Sequence, residues 1–244
     1  LLGRDGEPLA RRTFGGRQDE RAHAVAALPD DGFALAGFTE SEGAGQRDAL
    51  VIRFSGAGEP LWQRRFGGEG SDAARDIIAL ADGGLLVAGH RWSDEGAGFD
   101  IWLLRLDARG ETLWERRIDT ERFEAATALA SLPDGDIAVA GTVGVAGTLS
   151  DDLWVARLAP DGSPRWTRRM GGRGRDTPWG IAARSDGSIV IAAIRWFEPD
   201  DAGDLWLLGL DGRGAALWER RFGGAFWDRP TALLPLSDGL LVTG

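Results

Sequence analysis

The feature that most constrains this chain is a sequence pattern that recurs every 52 residues. The recurring tryptophans and aspartates are Trp62, Trp114, Trp166 and Trp218, and Asp48, Asp100, Asp152 and Asp204. No insertion interrupts the register until the last residues, where "SDGLLVTG" is one residue shorter than its counterparts. Because copies of one pattern are expected to adopt one local structure, the repeat restricts the chain to folds built from similar units.

Each copy contains four short segments with the pattern of β-strands. In the copy that begins near residue 74 they are "ARDIIAL" (74–80), "LLVAG" (85–89), "DIWLLRL" (100–106) and "ETLWERRI" (111–118). Each is apolar or alternating, and turns that contain Asp or Gly separate them, which is typical of antiparallel hairpins. We therefore predict four consecutive strands in every copy.

One segment also has the composition of a helix. "AATALASL" (125–132) is rich in Ala and Leu, which favour helices. Its counterparts "PWGIAAR" and "PTALLPL" begin with Pro and contain Gly or a second Pro, which break helices. Since all copies should share one structure, we predict a strand here as well.

Four strands at a period near 50 residues are typical of a β-propeller blade. We predict an all-β fold, a β-propeller of four-stranded antiparallel blades that forms a single domain over residues 1–244. The Ala-rich strand suits the innermost position of each blade. The Trp-Arg-Arg strand suits the outer edge, where charged side chains prevent pairing between sheet edges.

The register also suggests how many blades there are. The inner strand begins near residues 22, 74, 126, 178 and 230. The counterpart of residues 194–208 is missing at the C-terminal end, while residues 1–18, with "PLARRTF" (8–14), match an outer strand. We predict five blades, the last one incomplete, with the N- and C-terminal strands closing the ring. An arc of a larger propeller is the alternative.

The pattern "DGG.LVAG…D.WLLRLD..GE.LW" resembles the blades of bacterial repeat propellers, most of them uncharacterised. Its "LDARGETLW" portion is similar to the strand-turn-strand of quinone-cofactor (PQQ-like) propeller blades. The resemblance covers the whole chain and implies the fold rather than a function. The Asp-box of sialidase-like propellers differs, because "DARGETLW" has one more residue on each side of its Gly, and that family's chemistry is not transferred.

Composition excludes several classes of function. The net charge of −10 argues against a general nucleic-acid-binding protein, which needs a basic surface. There is no Cys, and His23 and His90 are too far apart in register to suggest a metal pair. The acidic segment "EPDDAGD" (198–204) lacks the spaced ligands of a calcium loop. No apolar run approaches 18 residues. We expect no metal, no cofactor and no membrane insertion.

Because successive strands of an antiparallel blade run in opposite directions, successive connections lie alternately on the two faces of the propeller. This alternation predicts which loops share a face. The longer loops, 38–47, 90–99, 142–151 and 194–203, fall on the same face as the connections between blades, such as "FGGEGS" (66–71). Loops carried by a rigid scaffold are the usual place for binding residues. We predict that this long-loop face binds the ligand.

Several aromatic residues on this face depart from the repeat. Trp92 and Trp196 share a register position and each follows an Arg, whereas Trp179 and Trp227 lie next to inner strands. Aromatic and Arg side chains are common in binding hot spots, although they could instead plug the channel or cover a blade edge. The predicted ligand-binding residues are Arg91, Trp92, Trp179, Arg195, Trp196, Phe197 and Trp227.

A second candidate is a ring of acids at the mouths of the inner strands: Glu20, Asp72, Glu124, Asp176 and Asp228. Such a channel-mouth acidic ring could bind a cation or a basic ligand. Recurrence in every blade favours an architectural role, in which each carboxylate accepts backbone N–H groups at a turn or pairs with a nearby Arg.

We therefore predict a non-catalytic β-propeller scaffold that binds a protein or a glycan. We expect a monomeric domain of a larger bacterial surface or secreted protein, extracellular or periplasmic. The alternative is a five-bladed glycoside hydrolase with carboxylates at the central channel, for which Asp76, the inner-strand acid that breaks the repeat, could act with Asp72 or Asp176. A quinone-cofactor oxidoreductase is less favoured, because it needs a larger ring and a metal.

Overall fold

The computed structural model describes ten segments of the chain: 2–9, 11–93, 98–119, 123–145, 148, 150–172, 174–196, 203–224, 226–236 and 239–244. Within them the protein is all-β, with eighteen strands and no helix. These residues accordingly include no helix with the length and apolarity needed to cross a membrane. The chain divides into two compact units, Leu1–Asp94 with Leu103–Glu115, and Glu95–Trp102 with Arg116–Gly244.

The first two blades are four-stranded antiparallel sheets whose strands follow one another in chain order. The first consists of β1 (Glu20–Ala27), β2 (Phe33–Thr39), β3 (Asp48–Phe54) and β4 (Pro60–Phe66). The second consists of β5 (Ala73–Ala79), β6 (Leu85–Trp92), β7 (Phe99–Leu106) and β8 (Thr112–Ile118).

The next two blades repeat this order, and a two-stranded sheet follows them. The third consists of β9 (Glu124–Ser131), β10 (Ile137–Gly144), β11 (Asp151–Leu158) and β12 (Pro164–Met170). The fourth consists of β13 (Thr177–Ala183), β14 (Ile189–Arg195), β15 (Asp204–Leu210) and β16 (Ala216–Phe222). The two-stranded sheet pairs β17 (Ala232–Leu236) with β18 (Gly239–Thr243). This is the predicted β-propeller of four-stranded antiparallel blades; the count of five blades stays a prediction.

Glycine forms the turn between the third and fourth strands of each complete blade. In the first blade, the N–H of Gly58 donates to the carbonyl oxygen of Ser55 at 2.9 Å with a φ of 78°. A side chain is disfavoured at such a positive φ, which explains why the repeat keeps Gly at this position. The segment 125–132, ambiguous in sequence, lies on β9 and is a strand as predicted.

The repeated spacing of Asp and Arg reflects contacts between a largely buried Arg and the short turns. Arg53 on β3 donates to Asp30 at 2.6 Å and to the carbonyl oxygen of Ala108 at 2.6 Å, so it joins the short turns of two successive blades. Arg157 has the matching contacts, to Asp134 and, at 3.1 Å, to the carbonyl oxygen of Gly212. The same position holds Arg105, which pairs with Asp82, but Gly209 in the fourth copy, so these arginines serve the architecture of three copies.

The first strand of each complete blade carries a β-bulge that the sequence did not reveal. The bulged residues are His23, Arg75, Thr127 and Trp179. Two of them reach the next blade within their unit: His23 Nδ1 lies 2.7 Å from the carbonyl oxygen of Ala74, and Thr127 Oγ1 donates to that of Pro178 at 3.2 Å. At a bulge the extra residue has no partner on the neighbouring strand, so its side chain does not follow the alternation of side chains between the two faces of the sheet.

The hydrophobic core described for the second unit lies between its third and fourth blades, mainly on their second and third strands. In the second unit, Leu153, Ile189, Ile191, Trp206 and Leu208 form part of one buried cluster. The inner strand β13 packs against β9, β10 and β11. The outer strands β12 and β16 carry mostly exposed side chains, with Trp166 half-buried against the core.

Two expectations about strand positions were wrong. The second strands are longer than predicted, so Arg91, Trp92 and Arg195 lie on β6 and β14 rather than in loops. The ladder continues because Ile194 and Arg195 still pair with the next strand, opposite Leu205 and Asp204.

Residues 8–14, expected to form an outer strand, contain no strand in their described part. An outer strand pairs with the third strand of its blade, and the described residues of the first unit place no such strand beside this segment. Arg12 nevertheless pairs with Glu59, and Phe14 packs on Phe54 with ring centroids 5.1 Å apart. The Arg12 pair matches that of Arg64 with Glu111 in the next copy.

Candidate functional site

The long loops and the connections between blades lie together, as strand parity predicted. In the first unit, the backbone N–H of Asp72 donates to the carbonyl oxygen of Arg47 at 2.8 Å, which joins the long loop to the connection. In the second unit, Asp176 makes the same bond to Asp151 at 2.7 Å. Each unit thus has its own long-loop face, formed by these two kinds of segment.

Four members of the predicted acidic ring hold the connection that precedes them. The carboxylates of Glu20, Asp72, Asp176 and Asp228 accept the backbone N–H of the glycine four residues earlier, at 3.1, 2.7, 3.0 and 3.0 Å. The donors are Gly16, Gly68, Gly172 and Gly224. This is the geometry of a carboxylate that stabilises a turn. The sequence favoured this architectural role, and cation binding by the ring stays the untested alternative.

The acids differ in their electrostatic surroundings. Burial raises the pKa of Asp176 to about 6, although Arg195 and the Gly172 N–H oppose the shift. Burial also raises the pKa of Asp72. Hydrogen bonding to Ser41 instead lowers the pKa of Glu20. Two of the repeated carboxylates are therefore held where their charged form is penalised.

The two predicted arginines contact the connections of their own units. Arg91 donates to the carbonyl oxygen of Gly67 at 3.3 Å and to Glu115 at 2.6 Å. Each guanidinium thereby joins a connection to an outer strand.

Arg195 repeats this arrangement, with the carbonyl oxygen of Gly171 at 3.5 Å and Glu219 at 3.2 Å. Its Nε lies 3.7 Å from Asp176 Oδ1, and its guanidinium lies over the ring of Trp206 at 4.5 Å.

The tryptophans that follow these arginines cover a glycine of the same connection. A Cβ on Gly70 would lie 2.2 Å from Cγ of Trp92, and a Cβ on Gly174 would lie 2.3 Å from Cβ of Trp196. The two glycines therefore accompany the two tryptophans because no larger residue fits beneath them. Gly70 and Gly174 share one register position, as Trp92 and Trp196 share another. The pairing of this glycine with a tryptophan could therefore be seen in the sequence.

The other predicted aromatic residues are exposed in the second unit. Trp227 is 61% exposed and meets Trp196 edge to face, with ring centroids 5.7 Å apart. Its neighbour Phe226 is 83% exposed. Trp179 is partly exposed and lies beneath the guanidinium of Arg229, 4.8 Å from the ring centroid. The predicted residue Phe197 lies outside the described residues.

A cavity of about 440 Å³ opens beside these residues. Its lining includes Trp227, Asp228 and Arg229 from the last connection, Gly223 before them, and Gly244 at the end of β18. Aromatic, anionic and cationic side chains thus converge in one place of the second unit. This cavity, with the exposed Phe226 next to it in sequence, is the candidate site.

The sequence prediction missed a cluster of carboxylates at the third connection. Asp100, Asp119 and Glu124 each place an oxygen within 4.8 Å of the others. Asp119 occupies the position of Gly67 and Gly171 in other copies, and it raises the pKa of Asp100 in addition to the larger effect of burial. In the sequence, the replacement of the repeated glycine by Asp119 was the feature that could have revealed this cluster. Three carboxylates could share a cation, but within the described residues only their proximity points to one.

Asp76, the acid considered for glycoside hydrolysis, and His90, considered for a metal pair, both have defined surroundings. Oδ1 of Asp76 accepts the N–H of Ile77 at 2.8 Å. His90 is buried, and burial lowers its pKa to about 3, so this imidazole is neutral at physiological pH. The acidic segment 198–204 lies mostly outside the described residues.

Comparison with known proteins adds a distant sequence relative. No family model matches the chain. A curated protein of Caulobacter vibrioides, "Regulatory protein FlaEY", is 26% identical over 200 residues. The alignment covers 70% of this chain and 21% of that protein, so the chain spans about a fifth of the relative's length.

Solved structures of similar fold are more distant in sequence. An endo-arabinase from Bacteroides thetaiotaomicron has a TM-score of 0.50 and 10% identity, with 87% of this chain and 84% of that chain covered. A Synechocystis apocarotenoid oxygenase has a TM-score of 0.53 and 10% identity, with 92% and 56% covered. At this identity the similarity concerns the fold alone.

Proposed function

We propose that this chain is a non-catalytic β-propeller module that binds a protein partner through the long-loop face of its second unit. The observation that carries the proposal is the exposure of Phe226 and Trp227 beside a cavity. Contiguous exposed apolar surface marks interaction sites, and aromatic residues are frequent in interface hot spots.

The geometry favours a protein over a glycan at this place. The rings of Trp196 and Trp227 stand at 84° to each other, so together they form a corner rather than a flat platform for a sugar ring. A side chain of a protein partner can enter such a corner next to the cavity. The cavity also offers both Asp228 and Arg229 for polar contacts.

Two observations support a role without catalysis. The repeated acids Glu20, Asp72, Asp176 and Asp228 bind backbone N–H groups of their own connections. The likeness to the endo-arabinase concerns the fold alone and does not favour the glycoside hydrolase alternative. The Caulobacter relative carries the name of a regulatory protein, which agrees with partner binding. We further propose that the propeller is one part of a larger bacterial protein.

The proposal can be tested by quantitative affinity capture from cells that produce the protein. The double variant Phe226→Ser with Trp227→Ser should lose a specific partner. The matched control, Leu61→Ser with Leu113→Ser, changes two exposed apolar residues of outer strands and should retain it. A partner captured equally by both variants would contradict the proposal. Binding to a glycan array that depends on Trp227 would assign the surface to sugars instead.

A further inference from the structure

Basic side chains gather in the first unit at positions where the second unit has none. His23 and Arg75 are the bulged residues of β1 and β5, and Arg47 ends the long loop before β3. At the positions that match His23 and Arg75, the second unit has Thr127, Trp179 and Thr231. At the position that matches Arg47, it has Phe99, Asp151 and Gly203. The three basic residues are therefore not part of the repeated architecture.

Contacts within the first unit bring these side chains to one place. His23 Nδ1 lies 2.7 Å from the carbonyl oxygen of Ala74, the residue next to Arg75. The guanidinium of Arg47 lies over the ring of Phe38, 4.7 Å from its centroid, and the centroid of the His23 ring is 5.5 Å from the same ring. A backbone hydrogen bond of 2.8 Å also joins Arg47 to the connection that precedes β5. The three side chains thus surround the beginning of β5.

The positive charges of this place act on one another. Partial burial lowers the pKa of Arg75, and the charge of Arg47 lowers it further. Burial lowers the pKa of His23 against the opposing hydrogen bond with Ala74. The charges of Arg75, Arg21 and Arg47 then lower it further. An anion that binds among such groups relieves this repulsion.

The donors of these side chains can reach a ligand. Arg75 is exposed, and the side chain of Arg47 is 46% exposed. Arg47 contacts Glu40 through its Nε at 2.7 Å, so its two Nη groups remain donors. Because the carbonyl oxygen of Ala74 accepts, Nδ1 of His23 carries the hydrogen and Nε2 is the atom that can bind a further proton.

We propose that this basic cluster, His23, Arg47 and Arg75, binds a phosphate group at the long-loop face of the first unit. The group belongs to inorganic phosphate or to the monoester of a small molecule. Both arginines are expected to donate to the phosphate oxygens, and His23 to bind a proton at Nε2 and donate as well. The inference goes beyond the proposed function, because it concerns other residues in the other unit and requires no protein partner.

A phosphate group fits the basic cluster better than a carboxylate does. Two guanidinium groups and an imidazole approach from three segments of the chain, and a phosphate monoester offers three acceptor oxygens and close to two negative charges. A carboxylate offers two oxygens and a single charge. In a chain with a net charge of −10, the basic cluster is also a local exception that attracts anions.

The test follows the two histidine side chains of the whole chain by NMR, since the sequence contains no others. Inorganic phosphate should raise the pKa of His23, because a bound anion favours the protonated imidazole. His90, which is buried with a pKa of about 3, should stay neutral over the same pH range and serves as the internal control. Acetate at the same ionic strength should bind at least about tenfold more weakly than phosphate.

Three variants locate the binding. Arg75→Gln removes one cation of the basic cluster and should weaken phosphate binding by about tenfold or more. Arg75→Lys keeps the charge without the fork of donors and should fall between Arg75→Gln and the unchanged protein. Arg65→Gln removes a cation from the outer strand β4, where it pairs with Glu42, and should leave the affinity within about twofold. Circular dichroism checks that all three fold, as expected for a bulged position outside the ladder and an exposed one.

The inference is overturned if about 20 mM phosphate leaves the pKa of His23 unchanged, if acetate binds as tightly as phosphate, or if Arg65→Gln weakens binding as much as Arg75→Gln. Glycerol 3-phosphate distinguishes the two sources. Tighter binding than that of inorganic phosphate identifies a monoester as the ligand, and equal or weaker binding identifies phosphate itself. Loss of a captured partner in the Phe226 and Trp227 variant tests the proposed function separately, because phosphate binding does not involve those residues.

Discussion

The fourth blade and the two-stranded sheet after it are built from the same sequence pattern but differ in what covers them. On β14, Ile189, Val190 and Ile191 are fully buried between sheets. On β18, Leu241 is 49% exposed, although it pairs with β17 as its counterpart on β14 pairs with β13.

The connections before these two sheets differ in the same way. The segment 171–176 is covered by Arg195 and Trp196, whereas the segment 223–228 borders a cavity and exposes Trp227. The difference shows that the sequence pattern of a strand specifies which strand it pairs with. The burial of its side chains depends in addition on the other strands and side chains that pack against it. In this structure the two-stranded sheet therefore exposes residues whose counterparts in the four-stranded blade are core.

The largest expected effect comes from comparing a buried residue of β14 with an exposed residue of β18, the second strands of their sheets. Ile189→Ala should lower the free energy of unfolding by about 2–5 kcal/mol, because it leaves a cavity in the core. Leu241→Ala should cost less than about 1 kcal/mol, because half of that side chain is already in water. Urea denaturation measures both. Equal costs would mean that β18 is buried in solution.

The second prediction concerns the glycine beneath the tryptophan. Gly174→Ala should destabilise the protein by about 1–3 kcal/mol, because the new methyl group overlaps Trp196. Gly224→Ala, where no described atom lies within 4 Å of the added carbon, should change stability by about 0.5 kcal/mol or less. Thermal unfolding monitored by tryptophan fluorescence compares the two, and a similar loss in both would reject the proposed packing.

The third prediction concerns pH. Burial raises the pKa of Asp176 from 3.8 to about 6, so this carboxyl group favours the folded state when it is protonated. Its contribution is complete below about pH 4 and is lost as the pH rises through about 6. The stability of the protein relative to Asp176→Asn should therefore fall between these values.

Urea denaturation of both proteins across this range measures the difference. Asp161→Asn is the control, because a hydrogen bond from Ser163 lowers the pKa of Asp161 and its own contribution persists as the pH rises. A flat difference for Asp176→Asn would show that this carboxyl group is more hydrated than its burial indicates.

The smallest effect is expected at the third connection. Asp119→Gly restores the glycine of the other copies and removes a negative charge beside Asp100. We expect the pKa of Asp100 to fall, by less than about one unit because burial is the larger cause of its shift. Carboxyl ¹³C NMR titration measures the change. An unchanged pKa would show that the two charges do not interact.

The fold could be predicted from the sequence because the repeat presents each blade several times. A helix that was plausible for 125–132 was ruled out by the Pro and Gly residues of other copies, and β9 confirms the strand. The strand ends could not be predicted as well. Whether Arg91 and Trp92 continue β6 depends on pairing with a neighbouring strand, which the local sequence does not encode.

The candidate site was predictable only in part. Trp227 and Trp179 were identified because they depart from the repeat, and both are partly exposed. The contact of Arg195 with its connection required the structure, because its partners are about 20 residues away or more. Asp119 was visible as a lost glycine, but its meaning depended on finding Asp100 and Glu124 close to it.

The bulge in the first strand has a consequence for how such a protein can diversify. It presents His23, Arg75, Thr127 and Trp179 at one equivalent position of four blades, an imidazole, a guanidinium, a hydroxyl and an indole. Because a bulged residue stands outside the ladder, its replacement leaves strand pairing intact. The four blades thus carry four different side chains at this position, two of which, His23 and Thr127, also contact the next blade.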